Sequence, residues 1–139
     1  MQQKFYPKSR WRFVLDIPGI DAFLVKSVAR APYINPSTNP NKTIPSRMEE
    51  FLSHKKLVVT LHDSITPSAE QQVEELINNM ALIPKVVLRL LDPVGTVIGE
   101  RTYSGVVVER VDYDVLSYDS KEFSEIKLTL SFNSQKLAF

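Results

Sequence analysis

At 139 residues the chain is the size of one domain and long enough to bury a core without covalent staples. It has no cysteine, which excludes a disulfide framework and a thiolate metal site, and its formal charge of +1 with 24% charged residues lacks the basic excess of a general nucleic-acid binder. No run of about 18 apolar residues occurs, and Met1 to Arg12 carries basic residues without an apolar segment, so neither a membrane span nor a secretory signal is expected.

Arg10 to Asp16 alternates, with Trp11, Phe13 and Leu15 on one side, and predicts an opening strand that sends those three side chains inward. Ile17-Pro18-Gly19-Ile20-Asp21 has turn chemistry, so Ala22 to Val28 is expected to return as the second strand of a hairpin. Pro32, Pro36, Pro40 and Pro45 then fall among Asn, Ser and Thr, which rules out a central strand and predicts a long loop over about residues 32–56. So long an irregular connection within a small domain is more often functional or disordered than passive. Lys56 to Asp63 alternates again and places Leu57, Val59 and Leu61 inward.

One helix is predicted, from Ser68 to Met80. Ser68 and Gln71 have capping-box spacing, and Val73, Leu76, Ile77 and Met80 recur at i, i+3, i+4 and i+7. Glu70, Glu74 and Glu75 complement the helix dipole from the opposite side. Lys85 to Asp92, Thr96 to Tyr103, Val106 to Tyr113 and Ser124 to Phe132 follow as four strands of a meander, joined by Asp92-Pro93-Val94-Gly95, by Ser104-Gly105 and by a polar loop around Tyr118 to Lys121. In the third of these, one face holds Val107, Val111 and Tyr113 and the other mixes Val106 and Val108 with Arg110 and Asp112. The last strand is the clearest, with Ile126, Leu128, Leu130 and Phe132 on one side. Several strands carry apolar residues on their second face too, as with Val87 and Leu91 beside Arg89, and this predicts contacts between copies. No repeat or second domain stands out, so residues 1–139 are expected to form one domain.

Catalysis needs an acid, base, nucleophile or metal in a defined constellation, and the inventory is thin. The two histidines, His54 and His62, lack metal-ligand spacing. Glu109, Asp112 and Asp114 lack the glycine-containing loop of a calcium site, and Gly19, Gly95, Gly99 and Gly105 form no phosphate-binding fingerprint. No cofactor or metal is expected, and no enzymatic activity. Phe5, Tyr6, Trp11 and Phe13 interleave with Lys4, Arg10 and Arg12 in the manner of single-strand nucleic-acid binders, a third-ranked alternative because Trp11 and Phe13 occupy the predicted core face. The charge is uneven: residues 1–65 hold ten lysines and arginines against five carboxylates, and the remainder seven against eleven. Such a division suits copies that pack head to tail through opposite potentials.

Taken together, the opening strand Trp11 to Asp16, the long loop, the strand Leu57 to Asp63, the helix Ser68 to Met80, the Gly105-led strand, the acidic loop Tyr118-Asp119-Ser120 and the alternating ending at Phe132 resemble the tail tube proteins of contractile-tailed bacteriophages, which share their fold with the Hcp-type tubes of type VI secretion systems. The resemblance implies a mainly β fold, an antiparallel β-sandwich or barrel with one α-helix and a long loop between strands 2 and 3. It also implies hexameric rings that stack into a virion tail tube, assembled in the host cytoplasm, contacting sheath and baseplate proteins and passing genomic DNA without reading it. The loop would then reach an adjacent ring, with Ile34, Ile44, Met48, Phe51 and Leu52 as apolar anchors and Lys42, Arg47, Lys55 and Lys56 facing acidic groups of that ring. A single-ring baseplate tube initiator, a tail completion or terminator protein, or a secretion-system tube component is the alternative within the same resemblance.

Overall fold

The computed structural model describes residues 7–32 and 55–139. The loop residues Ile34, Lys42, Ile44, Arg47, Met48, Phe51 and Leu52, together with His54, lie outside the described residues. The elements are β1 (Phe13–Asp16), a 3-10 turn (Ala22–Leu24), β2 (Val25–Ala29), β3 (Lys56–His62), α1 (Ala69–Asn79), β4 (Ile83–Leu91), β5 (Val97–Tyr113), β6 (Glu125–Ser131) and β7 (Ser134–Leu137). All pairings are antiparallel and follow the order β1-β4-β5-β6-β3-β2, with β7 on β5. Among the described residues the architecture is mainly β with one α-helix, as expected from the sequence.

The core rests on β3 and β6, whose registers set Leu57 opposite Leu130, Val59 opposite Leu128 and Leu61 opposite Ile126. All six are essentially fully buried, and burying such a side chain contributes roughly 1.5–3 kcal/mol. Because side chains alternate with period two, a slip of one residue would carry the three core side chains of the slipped strand to the outer face, so this pair fixes its own register. Against them pack Leu15, Val86, Leu88, Tyr103 and Val106 from β1, β4 and β5, and Ala69, Val73 and Leu76 from the helix. Ser68 caps α1 by accepting from the Gln71 backbone N–H at 3.3 Å, as the spacing predicts. Gln72 holds the helix to the first connection: its amide oxygen accepts from the Asp21 N–H at 2.9 Å, and its Nε2 donates to the Asp21 carboxylate at 2.8 Å.

The structure corrects four expectations. First, β1 and β2 form no hairpin. The turn is real, since Gly19 has φ +85° and the Ile20 N–H donates to the Ile17 carbonyl at 3.1 Å. Beyond it, however, β1 pairs with β4 and β2 with β3, so the two strands end at opposite ends of the strand order. Second, Trp11 does not enter the core. It precedes β1, is 74% exposed, and has the Arg12 guanidinium 5.5 Å from its ring centroid. Third, the segment through Ser104-Gly105 is not a hairpin turn but the middle of β5, a single 17-residue strand. Its first half pairs with β4 and β7 and its second half with β6. Fourth, a bulge between Val108 and Arg110 shifts the alternation, so that Val108 and Val111 both pack on the core while Val107 turns outward.

The corner where β5 passes from one layer to the other depends on Gly105. Its φ is +63°, and a Cβ there would stand 2.5 Å from Asn133 Nδ2 and 3.1 Å from Asn133 Cβ. Asn133 is held in place because its N–H donates to the Ser104 carbonyl at 2.9 Å. Gly105→Ala is therefore expected to lower stability by about 1–3 kcal/mol, from a strained backbone and this crowding. Thermal or urea unfolding measures it, and an unchanged midpoint would show that the corner relaxes freely.

Candidate assembly surfaces

The acidic residues that could suggest a metal site are engaged in ion pairs and hydrogen bonds within the chain. Glu109 pairs with Lys56 at 2.9 Å across to β3, and Asp112 accepts from Arg110 Nε at 2.8 Å. Asp114 accepts from the Glu125 N–H at 2.9 Å and from Ser124 Oγ at 3.3 Å, bracing the base of the loop between β5 and β6. Among the described residues no three His, Cys, Asp or Glu side chains gather as a metal site. His62 ends β3 as an exposed residue opposite Glu125. Among the described residues no helix is long and apolar enough to cross a membrane.

The second face of β4, expected to seek a partner, is partly satisfied within the chain. Val87 is 4% exposed, and the same face is crossed by Arg89, which bridges Asp16 of β1 and, at 3.3 Å, Glu100 of β5. Exposed apolar side chains concentrate elsewhere. Within the loop between β5 and β6, Val115, Leu116, Tyr118 and Phe123 are each at least 88% exposed. Placing this much apolar surface in water marks an interface rather than a free loop. The sequence shows this segment as polar because Asp119, Ser120, Lys121 and Glu122 interrupt its apolar residues.

A groove of about 950 Å³ lies between the ends of the strand order, where β1 and β2 approach without pairing. Phe13, Val28, Leu88 and Leu90 supply apolar lining, Tyr103 forms part of the wall, and Lys8, Arg10, Lys26, Arg30 and Arg101 surround it; among the described residues no carboxylate lines it. Of these cations, Lys26 reaches Glu125, and Arg101 donates to Gln135 Oε1 at 2.9 Å. Tyr103 itself is fully buried, edge-on to Phe132 with ring centroids 4.9 Å apart, and its hydroxyl has no hydrogen-bond partner among the described residues. Burial raises its pKa above the ordinary value, opposed in part by the positive charges of Arg101 and Arg30. The groove residues come from five separated stretches of sequence, so only the basic bias of the first half foreshadows it.

The ends of the long loop are placed although its middle is not described. Ala29 lies opposite Val58, so the segment between β2 and β3 leaves and returns at the same end of the same layer.

No protein-family model and no curated protein matches the sequence. Solved structures do. A chain of the anti-feeding prophage tube-terminating cap superposes with a TM-score of 0.69 at 15% identity, covering 99% of this chain and 94% of that one. A chain of the PVC sheath/tube terminator of an extracellular contractile injection system, in its extended state, gives 0.69 at 13% identity, covering 99% and 100%. Hcp1 from Flavobacterium johnsoniae gives 0.58 at 11% identity, covering 92% and 95%. Similarity that extends over nearly the whole of both chains at such low identity is similarity of fold, and the fold is that of the Hcp-like tubes and caps of contractile injection systems.

Proposed function

We propose that the chain is a non-enzymatic structural subunit of a contractile tail, forming hexameric rings that stack into the tube. The observation that carries this is the near-complete coverage, in both directions, between this chain and chains from tube-terminating assemblies. The exposed apolar loop between β5 and β6 supports it. In such a tail the subunit would contact sheath and baseplate proteins and line a lumen that passes genomic DNA without sequence recognition, after assembly in the host cytoplasm. The loop at about 32–56 would reach the adjacent ring, with Ile34, Ile44, Met48, Phe51 and Leu52 buried on docking and Lys42 and Arg47 meeting acidic groups there.

A second reading, a single ring that ends the tube, is favoured by one observation: the cap and terminator chains superpose at 0.69 against 0.58 for Hcp1. Negative-stain electron microscopy of the purified chain separates the two. Stacked tubes are expected for a tube subunit, and isolated rings or added caps on preformed tube for a terminator. A strictly monomeric protein at every concentration, with no ring on any tube or baseplate, would refute both.

A further inference from the structure

The uneven charge of the sequence takes shape as two surfaces of opposite sign. One is the groove with its five cations, where Lys8, Arg10 and Arg30 form no ion pair among the described residues. The other is the loop of residues 114–123, which carries three carboxylates against one lysine. Each surface also offers apolar area: the groove through its lining, the loop through Leu116, Tyr118 and Phe123. The loop does not satisfy the groove of its own chain. Asp114 pins its base to β6, and the exposure of its apolar side chains shows that they stand clear of the protein that bears them.

We infer that the loop of residues 114–123 of one copy docks in the basic groove of a second copy, a head-to-tail contact that rests on the self-assembly reading above. Asp119 and Glu122 meet the unpaired cations around the groove, while the aromatic and aliphatic side chains between them displace water from its apolar lining. A contact of this kind joins unlike surfaces, so it propagates from copy to copy and closes only as a ring or continues as a helix. Its cations set encounter rate and register, and its apolar part sets how long the contact lasts.

A fluorescein-labelled peptide of residues 113–124, titrated into the full chain and followed by anisotropy, tests the pairing directly. Saturable binding is expected, weakened by added salt, at least ~10-fold weaker for an Arg30→Glu chain, and recovered when that chain meets a peptide carrying Asp119→Lys and Glu122→Lys. Arg30 is exposed, so the variant is expected to fold, and an unchanged circular dichroism melt verifies this. Absence of saturable binding to the wild-type chain, or equal binding to the folded Arg30→Glu chain, overturns the inference. A chain that forms rings yet ignores the peptide refutes the pairing alone. A chain that binds the peptide yet never forms rings refutes the ring reading and leaves the pairing standing.

Discussion

Tyr103→Ala is expected to cost about 3–5 kcal/mol, because it empties a fully buried aromatic site that faces Phe132 at the junction of both layers. A loss of that size is comparable with the whole stability of a small domain, so the variant should be largely unfolded or aggregated at 37 °C. Tyr103→Phe is expected to do the opposite. It keeps the ring and removes a buried hydroxyl that has no partner among the described residues, and should stabilise by about 1 kcal/mol. The same residue predicts a pH dependence. Its pKa is raised in the folded state, so the corresponding stability is fully present below the ordinary tyrosine value of 10.0 and is lost as pH rises through the folded value. Melting curves from neutral to strongly alkaline pH should fall less steeply for Tyr103→Phe than for the wild type. A Phe variant less stable than the parent at neutral pH would mean that the hydroxyl has a partner after all.

Deleting residues 37–44 is expected to abolish long tubes while leaving the melting temperature nearly unchanged. The strands it connects are neighbours in register, and shortening a loop between fixed ends alters its closure entropy only slightly, by about 0.6 kcal/mol per halving of length. What the deletion removes is Lys42 and Ile44 with the residues between Pro36 and Pro45, part of the surface proposed to meet the next ring. Rings should survive where tubes do not. If the variant still polymerises to normal length in the electron microscope, the inter-ring role of this loop is wrong.

Where alternation ran uninterrupted, the sequence disclosed the structure almost residue by residue. Leu57, Val59 and Leu61 of β3 and Ile126, Leu128 and Leu130 of β6 are buried as their period requires, and the capped helix begins one residue after Ser68. Errors arose where a local signal was correct but its partner lay far along the chain. The turn at Gly19 forms, yet the apolar faces of β1 and β2 find β4 and β3 instead of each other. Gly105 does take a positive φ, yet it bends one strand and does not join two. The bulge at Glu109 has no compositional marker and reverses the facing of every residue after it. For the assembly surfaces, the sequence disclosed the sum of charges in each half. It could not disclose that Arg10, Arg30 and Arg101 converge on one groove, since their meeting depends on the nonlocal pairing just described.

That nonlocal pairing also governs when the chain can fold. Among the described residues β1 pairs only with β4, across some 75 residues, and β3 lies between β2 and β6, whose last paired residue is Ser131. The central apolar contact, Leu57 with Leu130, therefore does not exist until the ribosome has passed Leu130, 73 residues after Leu57. Loop closure over such separations makes folding slow compared with helical domains of similar size. During that interval the β3 edge and its three apolar side chains stand open to any other nascent copy, and strand exchange competes with correct closure. Completion of β6 is thus the event that closes the β3 edge and separates a folded chain from one open to strand exchange.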